Sequence, residues 1–194
     1  ILVNPEYEMT SDTLHYNTQS KTAHFFGPTY IVSEENTIFC NYGWYNTAKN
    51  TSEFSKGAYI QGEENRLQAD SMLYNRNTGY GEAFYSLELT DTGEDLRILG
   101  EYGNYYRLQK RPLFTGHPVA IKQIEDDSLY LKSDTMIDFT DTSGGRNLIA
   151  FHAVELFKPD LQSRSDSMRY NFSDSTIVFY TDPVVWSDSS QITG

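Results

Sequence analysis

The chain has 194 residues, a formal net charge of -12 and a pI near 4.6, which argues against a duplex nucleic-acid partner and against docking on an anionic membrane surface. An aromatic share of 14%, carried by 15 Tyr, 11 Phe and 2 Trp, favours strands over helices, and the single cysteine, Cys40, excludes an internal disulfide. No apolar stretch is long enough for a spanning helix and no linker divides the chain, so residues 1–194 read as a single domain.

Along the chain, one seven-letter pattern recurs: SDTLHYN at 11–17, ADSMLYN at 69–75 and SDSMRYN at 165–171, with looser copies CNYGWYN at 40–46, GEYGNYY at 100–106 and SDTMIDF at 133–139. The anchors Asp12, Asn41, Asp70, Glu101, Asp134 and Asp166 are 29, 29, 31, 33 and 32 residues apart, a period near 30 that marks a repeated supersecondary unit. Within each copy, alternation predicts a strand, with Asp12, Leu14 and Tyr16 on one face and likewise Asp70, Met72 and Tyr74. The fifth copy departs, with Asp138 where Tyr is expected.

A turn-rich stretch follows each anchor segment (NTQSK, NTAKN, NRNTG, DTSGG), and then a second strand. In GEAFYSLEL, residues 81–89, Ala83, Tyr85, Leu87 and Leu89 are expected on one face. Gly27-Pro28, Gly57, Gly81, Gly116-Pro118 and Pro183 predict bulges, bends or edges near the middle of these second strands. A short third strand leads into the next anchor, and NLIAFHAVELF at 147–157 reads as strand, not helix, from its place in the repeat. The closing SQITG resembles RILG at 97–100, which precedes Glu101, and predicts that the chain ends inside a further repeat.

Catalytic and metal constellations do not emerge. His15, His24, His117 and His152 lack ligand spacing, DTGED at 91–95 and EDD at 125–127 read as solvated turns, and no nucleophile elbow or phosphate loop occurs. The repeated Asp is expected to brace a turn by accepting backbone N–H groups. Stacked repeats of like parity predict two facing sheets lined by Leu14, Tyr16, Ile38, Tyr45, Ile60, Met72, Tyr74, Leu87, Leu89, Ile98, Ile121, Leu129, Leu131, Met136 and Met168. Such a lining is either a sandwich core or a groove for an apolar guest.

The recurring SDTLHYN, ADSMLYN and SDSMRYN, each followed by a turn, a Gly/Ala or Gly/Pro strand and a lead such as LQAD or LKSD, resemble the OstA-like family, which comprises periplasmic lipopolysaccharide-transport proteins and the N-terminal domain of the matching outer-membrane assembly protein. The resemblance implies an all-β fold: a repeat-built, twisted, partly open β-jellyroll of antiparallel strands. It implies a non-catalytic, cofactor-free protein of the Gram-negative periplasm, associated with the inner or outer membrane through partners. Lipopolysaccharide acyl chains would lie along the fifteen inner-face residues. Other jellyroll domains, or copies of the chain head to tail, would join by edge-strand pairing.

A chain of about twelve carbons needs on the order of 10 kcal/mol of shelter from water, which a long apolar groove supplies. The net charge predicts that acyl chains are gripped and anionic head groups stay in solvent. Two other readings compete: a structural β-repeat protein of the cell envelope with a closed core, and a glycan binder using Tyr42, Trp44, Tyr102, Tyr105, Tyr106 and Trp186 as stacking platforms.

Overall fold

The computed structural model describes residues 1–5, 7–106, 111–187 and 189–194. Their regular structure is all strand: β1 Leu2–Asn4, β2 Tyr7–Asn17, β3 Thr22–Ser33, β4 Thr37–Asn46, β5 Thr51–Gln61, β6 Asn65–Asn75, β7 Tyr80–Asp91, β8 Leu96–Tyr106, β9 Leu113–Thr115, β10 Val119–Ile124, β11 Asp127–Lys132, β12 Thr135–Thr140, β13 Arg146–Lys158, β14 Leu161–Asn171, β15 Thr176–Tyr180, β16 Val184–Ser187 and β17 Ser190–Thr193. The segment 147–157 is strand, within β13. Most repeats are two long strands, so the expected short third strand is the first half of the next anchor strand; over 113–140 and 176–187 the strands are broken in two at the bend, as β9/β10, β11/β12 and β15/β16.

All strands join one antiparallel sheet. From β1 to β8 it is a plain meander. The two halves of β8 then part company, the first pairing with β10 and the second with β9. β10 continues through β11 to the second half of β13, while β9 continues through β12 to its first half. β13 pairs with β14 along its length, and β14 divides again between β16 and β15. The sheet is therefore folded lengthwise into two leaves, each long strand contributing one half to each.

The fold line is a column of bulges. In β3, β5, β7 and β13 two residues oppose a single residue of the neighbouring strand, and that single residue is the repeat anchor: Asp12 and Asn41 flank Gly27-Pro28, Asn41 and Asp70 flank Lys56-Gly57, and Asp166 faces His152-Ala153. Backbone φ turns positive at Gly27 (75°), Lys56 (62°), Gly57 (78°), Tyr85 (59°), Ser86 (50°), Gly116 (79°) and Ala153 (49°). A side chain on Gly27 would meet Asp12, and one on Gly116 would meet Glu101. The anchors are all exposed on the outside of this bend. They brace the bulge through side chains: Asn41 donates to the Lys56 carbonyl at 2.9 Å, Ser86 to Asp70 at 3.5 Å, and His117 and His152 lie 3.1 and 3.0 Å from Asp134 and Asp166.

This column explains the recurring motif letter by letter. The Ser before the anchor faces inward and donates to the carbonyl two residues on, at 3.1, 2.9 and 3.0 Å for Ser11, Ser133 and Ser165. The apolar residue and the Tyr after the anchor face inward, and the final Asn closes the hairpin, as Asn46 does by accepting from the amides of Ala48 and Lys49 at 3.1 and 2.8 Å.

Two expectations fail at the bend for one reason, that a bulge reverses the parity a flat strand would keep: Asp12 and Asp70 point outward while Leu14 and Met72 point inward, and Tyr85 is 63% exposed although Ala83 and Leu87 are buried. A third fails elsewhere, since Gly81 marks no bulge and lies in the regular ladder between Tyr74 and Tyr105. The fifth copy keeps register despite its altered letters, with Met136 fully buried and Ile137 on the other face opposite Leu113 and Ile149.

Inside the fold, register aligns side chains into rows. One leaf carries Met9, Ile31, Ile38, Ile60, Leu67, Leu89, Ile98, Ala120, Leu131 and Leu156 in a single line across the strands. The other carries Leu14, Phe25, Gly43, Phe54, Met72, Ala83, Gly103, Phe114, Met136, Ala150 and Met168. Small residues fill the crease, including Thr29, Cys40, Ala58 and Ala69, all buried, and burial pushes the Cys40 thiol up to about 11. Gly43 makes room for the Phe25 ring, because an added Cβ would collide with that ring and approach the Glu53 carbonyl oxygen to 2.7 Å. Gly43→Ala should lower stability by about 1–3 kcal/mol, the range of an overpacked core, with little loss expected at Gly62, where an added Cβ meets nothing closer than 3.5 Å, as urea unfolding of the two variants would show.

Candidate functional site: the inner faces of the two leaves

The two inner faces meet over the C-terminal half of the sheet. There Ile98, Leu129, Leu131, Met136, Leu148, Leu156, Met168 and Tyr170 are buried, and the space left among Leu96, Ala120, Leu129, Leu148 and Met168 is about 20 Å³. That volume suits about one water and no hydrocarbon chain. Toward the N-terminus the leaves leave their inner faces partly uncovered. Leu14 and Tyr16 are 41% and 47% exposed, and Ile31, Ile38, Tyr45, Ile60, Leu67, Tyr74 and Leu89 are half-buried above a floor of Phe25, Phe54 and Met72. The N-terminal half therefore presents apolar inner faces that are only partly covered.

Of the fifteen residues expected to line the interior, fourteen face inward. Leu14, Tyr16, Ile38, Tyr45, Ile60, Tyr74 and Leu89 line the open half; Met72 and Leu87 form its floor; Ile98, Leu129, Leu131, Met136 and Met168 lie in the packed half. Ile121 is on the outer face, paired with Arg97 and Tyr130, because its neighbour Ala120 holds the inward position. Phe25, Phe54 and Phe114, the large buried rings of the second leaf, were missed by the sequence pattern because they sit on second strands, where the bulge breaks the alternation. Of the proposed stacking platforms, Tyr42, Trp44, Tyr102 and Trp186 lie on the outer face; Trp44 donates to Glu53 at 2.9 Å and Tyr102 to Glu82 at 2.7 Å.

The boundary between the open and packed halves is an ionic clasp. Arg146, at the start of β13, donates to Asp138 of its own leaf from Nη2 at 2.5 Å and to Asp91 of the opposite leaf from Nη1 at 2.6 Å. Both aspartates are buried and hold the guanidinium above its ordinary value despite its own burial, while Phe172 packs beneath it at 4.9 Å. Asp91 had read as part of a solvated turn; it is 6% exposed and ion-paired. The altered letter at Asp138, in the row that elsewhere holds Tyr45, Tyr74 and Tyr170, was the sequence signal of this clasp.

The hairpin tips of the two leaves differ in charge. Hairpin tips of the first leaf carry Glu34-Glu35, Glu63-Glu64, Glu94-Asp95 and Glu125-Asp126. Opposite, the first three tips of the second leaf carry Lys21, Lys49 and Arg76, all exposed, as their only charged side chains. These three turns are stacked by hydrogen bonds from Thr47 N to Lys21 O and from Arg76 N to Asn50 O, both 2.9 Å, and from Asn77 Nδ2 to Lys49 O at 3.0 Å.

An antiparallel sheet folded on a bulge column around an apolar interior is a twisted β-jellyroll, and the comparisons agree with that fold. Residues 1–70, which hold the first three anchors, match the family model described as OstA-like protein, so the resemblance carried by the repeats is shown there. The fold is similar to the crystal structure of LptH, described as the LptA homologous periplasmic component of the lipopolysaccharide transport device from Pseudomonas aeruginosa, with a TM-score of 0.53 and 10% identity over 60% of this chain and 82% of that one. At that identity the likeness establishes the fold. No curated protein matches the sequence.

Proposed function

We propose that this jellyroll binds lipopolysaccharide without catalysing a reaction on it, holding acyl chains in the N-terminal trough as one element of a transport bridge in the periplasm. The observation that carries this reading is the partly uncovered apolar inner face from β2 to β7, ending at the Asp91–Arg146–Asp138 clasp. Burying the exposed parts of Leu14 and Tyr16 and the half-covered Ile38, Ile60 and Leu67 against hydrocarbon removes apolar surface from water on both partners. The trough-lining set is accordingly Leu14, Tyr16, Ile38, Tyr45, Ile60, Tyr74 and Leu89, with Met72 and Leu87 as floor. The residues beyond the clasp serve as core.

At its ends the sheet offers edges for further jellyrolls or for copies of this chain: β1 with Val3 76% exposed, and β17 with Ile192 63% exposed. Organic extraction and mass spectrometry of the protein purified from a Gram-negative periplasm should recover acylated glycolipid in excess over an outer-face control protein. Recovery of none would contradict the reading and favour a closed structural module.

A further inference from the structure

We infer that the basic rim formed by Lys21, Lys49 and Arg76 seats the anionic, phosphate-bearing head group of the amphiphile whose tails lie in the trough. This rests on the proposed trough and adds to it which side of the mouth the head group takes. The two features coincide in space: the three cations border the same half in which the inner faces are uncovered. Farther along, the same rim turns mixed in charge, with Arg111, Asp141 and Asp174.

A net charge of -12 conceals this arrangement, because most of the excess carboxylates near the mouth stand on the other leaf. Glu34, Glu35, Glu63 and Glu64 stand exposed at those tips and disfavour an anion on that side, so the charge of both rims favours the basic one. Successive cations sit two strands apart, roughly 9.5 Å by ordinary strand spacing. That is a ladder for an extended head group, not a cage for a free ion. Stacked turns hold their backbones fixed, through the Thr47–Lys21, Arg76–Asn50 and Asn77–Lys49 hydrogen bonds, so the spacing is built into the fold. The charge balance of the whole chain argued for head groups left in solvent; its distribution argues for this placement.

The test compares three probes on the delipidated full chain by isothermal titration: dodecyl phosphate, the neutral dodecyl maltoside, both below their micelle concentrations, and inorganic phosphate. The wild type should bind dodecyl phosphate about tenfold more tightly than dodecyl maltoside, and the preference should shrink toward about twofold as NaCl is raised severalfold. Inorganic phosphate alone should not bind measurably. The variant Lys21→Gln/Lys49→Gln/Arg76→Gln should lose the preference while keeping its affinity for the maltoside, and Glu34→Gln/Glu63→Gln should keep it. A triple variant that retains the preference, or a wild type that binds both amphiphiles equally, overturns the head-group placement and leaves the trough standing. Failure of both amphiphiles to bind overturns the trough, and the placement with it.

Discussion

Replacing Arg146 with Met should destabilise the protein by about 3–5 kcal/mol, the range found when one partner of a buried ion pair is removed and the other is left without its counter-charge. Here two carboxylates are left, because Asp91 and Asp138 are 6% and 5% exposed and both depend on the same guanidinium. The loss should appear as a lower urea midpoint with little change in slope. Most of it should return when the whole clasp is made uncharged, in Asp91→Asn/Asp138→Tyr/Arg146→Leu, since a well-packed neutral replacement of a buried ionic group is often no less stable. Tyr is the residue that the repeat itself uses at this position in Tyr45, Tyr74 and Tyr170. Recovery by the triple variant, alongside the failure of Arg146→Met alone, would separate the cost of stranded charge from the cost of lost volume.

The second large effect concerns binding. Ile38→Asp combined with Leu14→Asp should weaken acyl-chain capture by about a hundredfold, since each change replaces apolar surface facing the guest with a carboxylate that must lose water, at about 1.5 kcal/mol or more per site. Stability should fall only modestly, because Leu14 is 41% exposed and Ile38 half-buried. Leu87→Asp makes the contrasting case: Leu87 is 2% exposed, and its Cδ1 occupies the space where a side chain on Gly103 would sit. That variant should unfold, and so cannot report on binding. Ile121→Asp on the outer face should change neither property. Melting curves and titration with a fluorescent fatty acid on the four proteins would show whether binding and folding part in this order.

How far the fold could be read from sequence follows from where the period-two rule holds. In anchor strands the letters after Asp12, Asp70 and Asp166 obey it, so Leu14, Met72, Met168 and their tyrosines were placed on the inner face correctly. At the bulges it fails, since a residue with positive φ turns the next side chain over; hence Tyr85 points outward. The ~30-residue period marks the stacking of hairpins, but not which hairpins would close on each other. That depends on pairing across the leaves, such as Arg146 with Asp91, fifty-five residues apart in the chain. The charged rims were invisible for the same reason: Lys49 and Glu64 are near in sequence, yet alternate hairpin tips belong to opposite leaves.

The trough is tested most directly by cross-linking from a photoactivatable residue placed singly at Ile60, at Met136 and at Ile121, with the protein loaded with an isotopically labelled fatty acid. Label is predicted to attach at position 60, in the open half, and not at position 136, beyond the clasp, or at position 121, on the outer face. Equal labelling at all three sites, or none at position 60 in a folded and saturated protein, would contradict it.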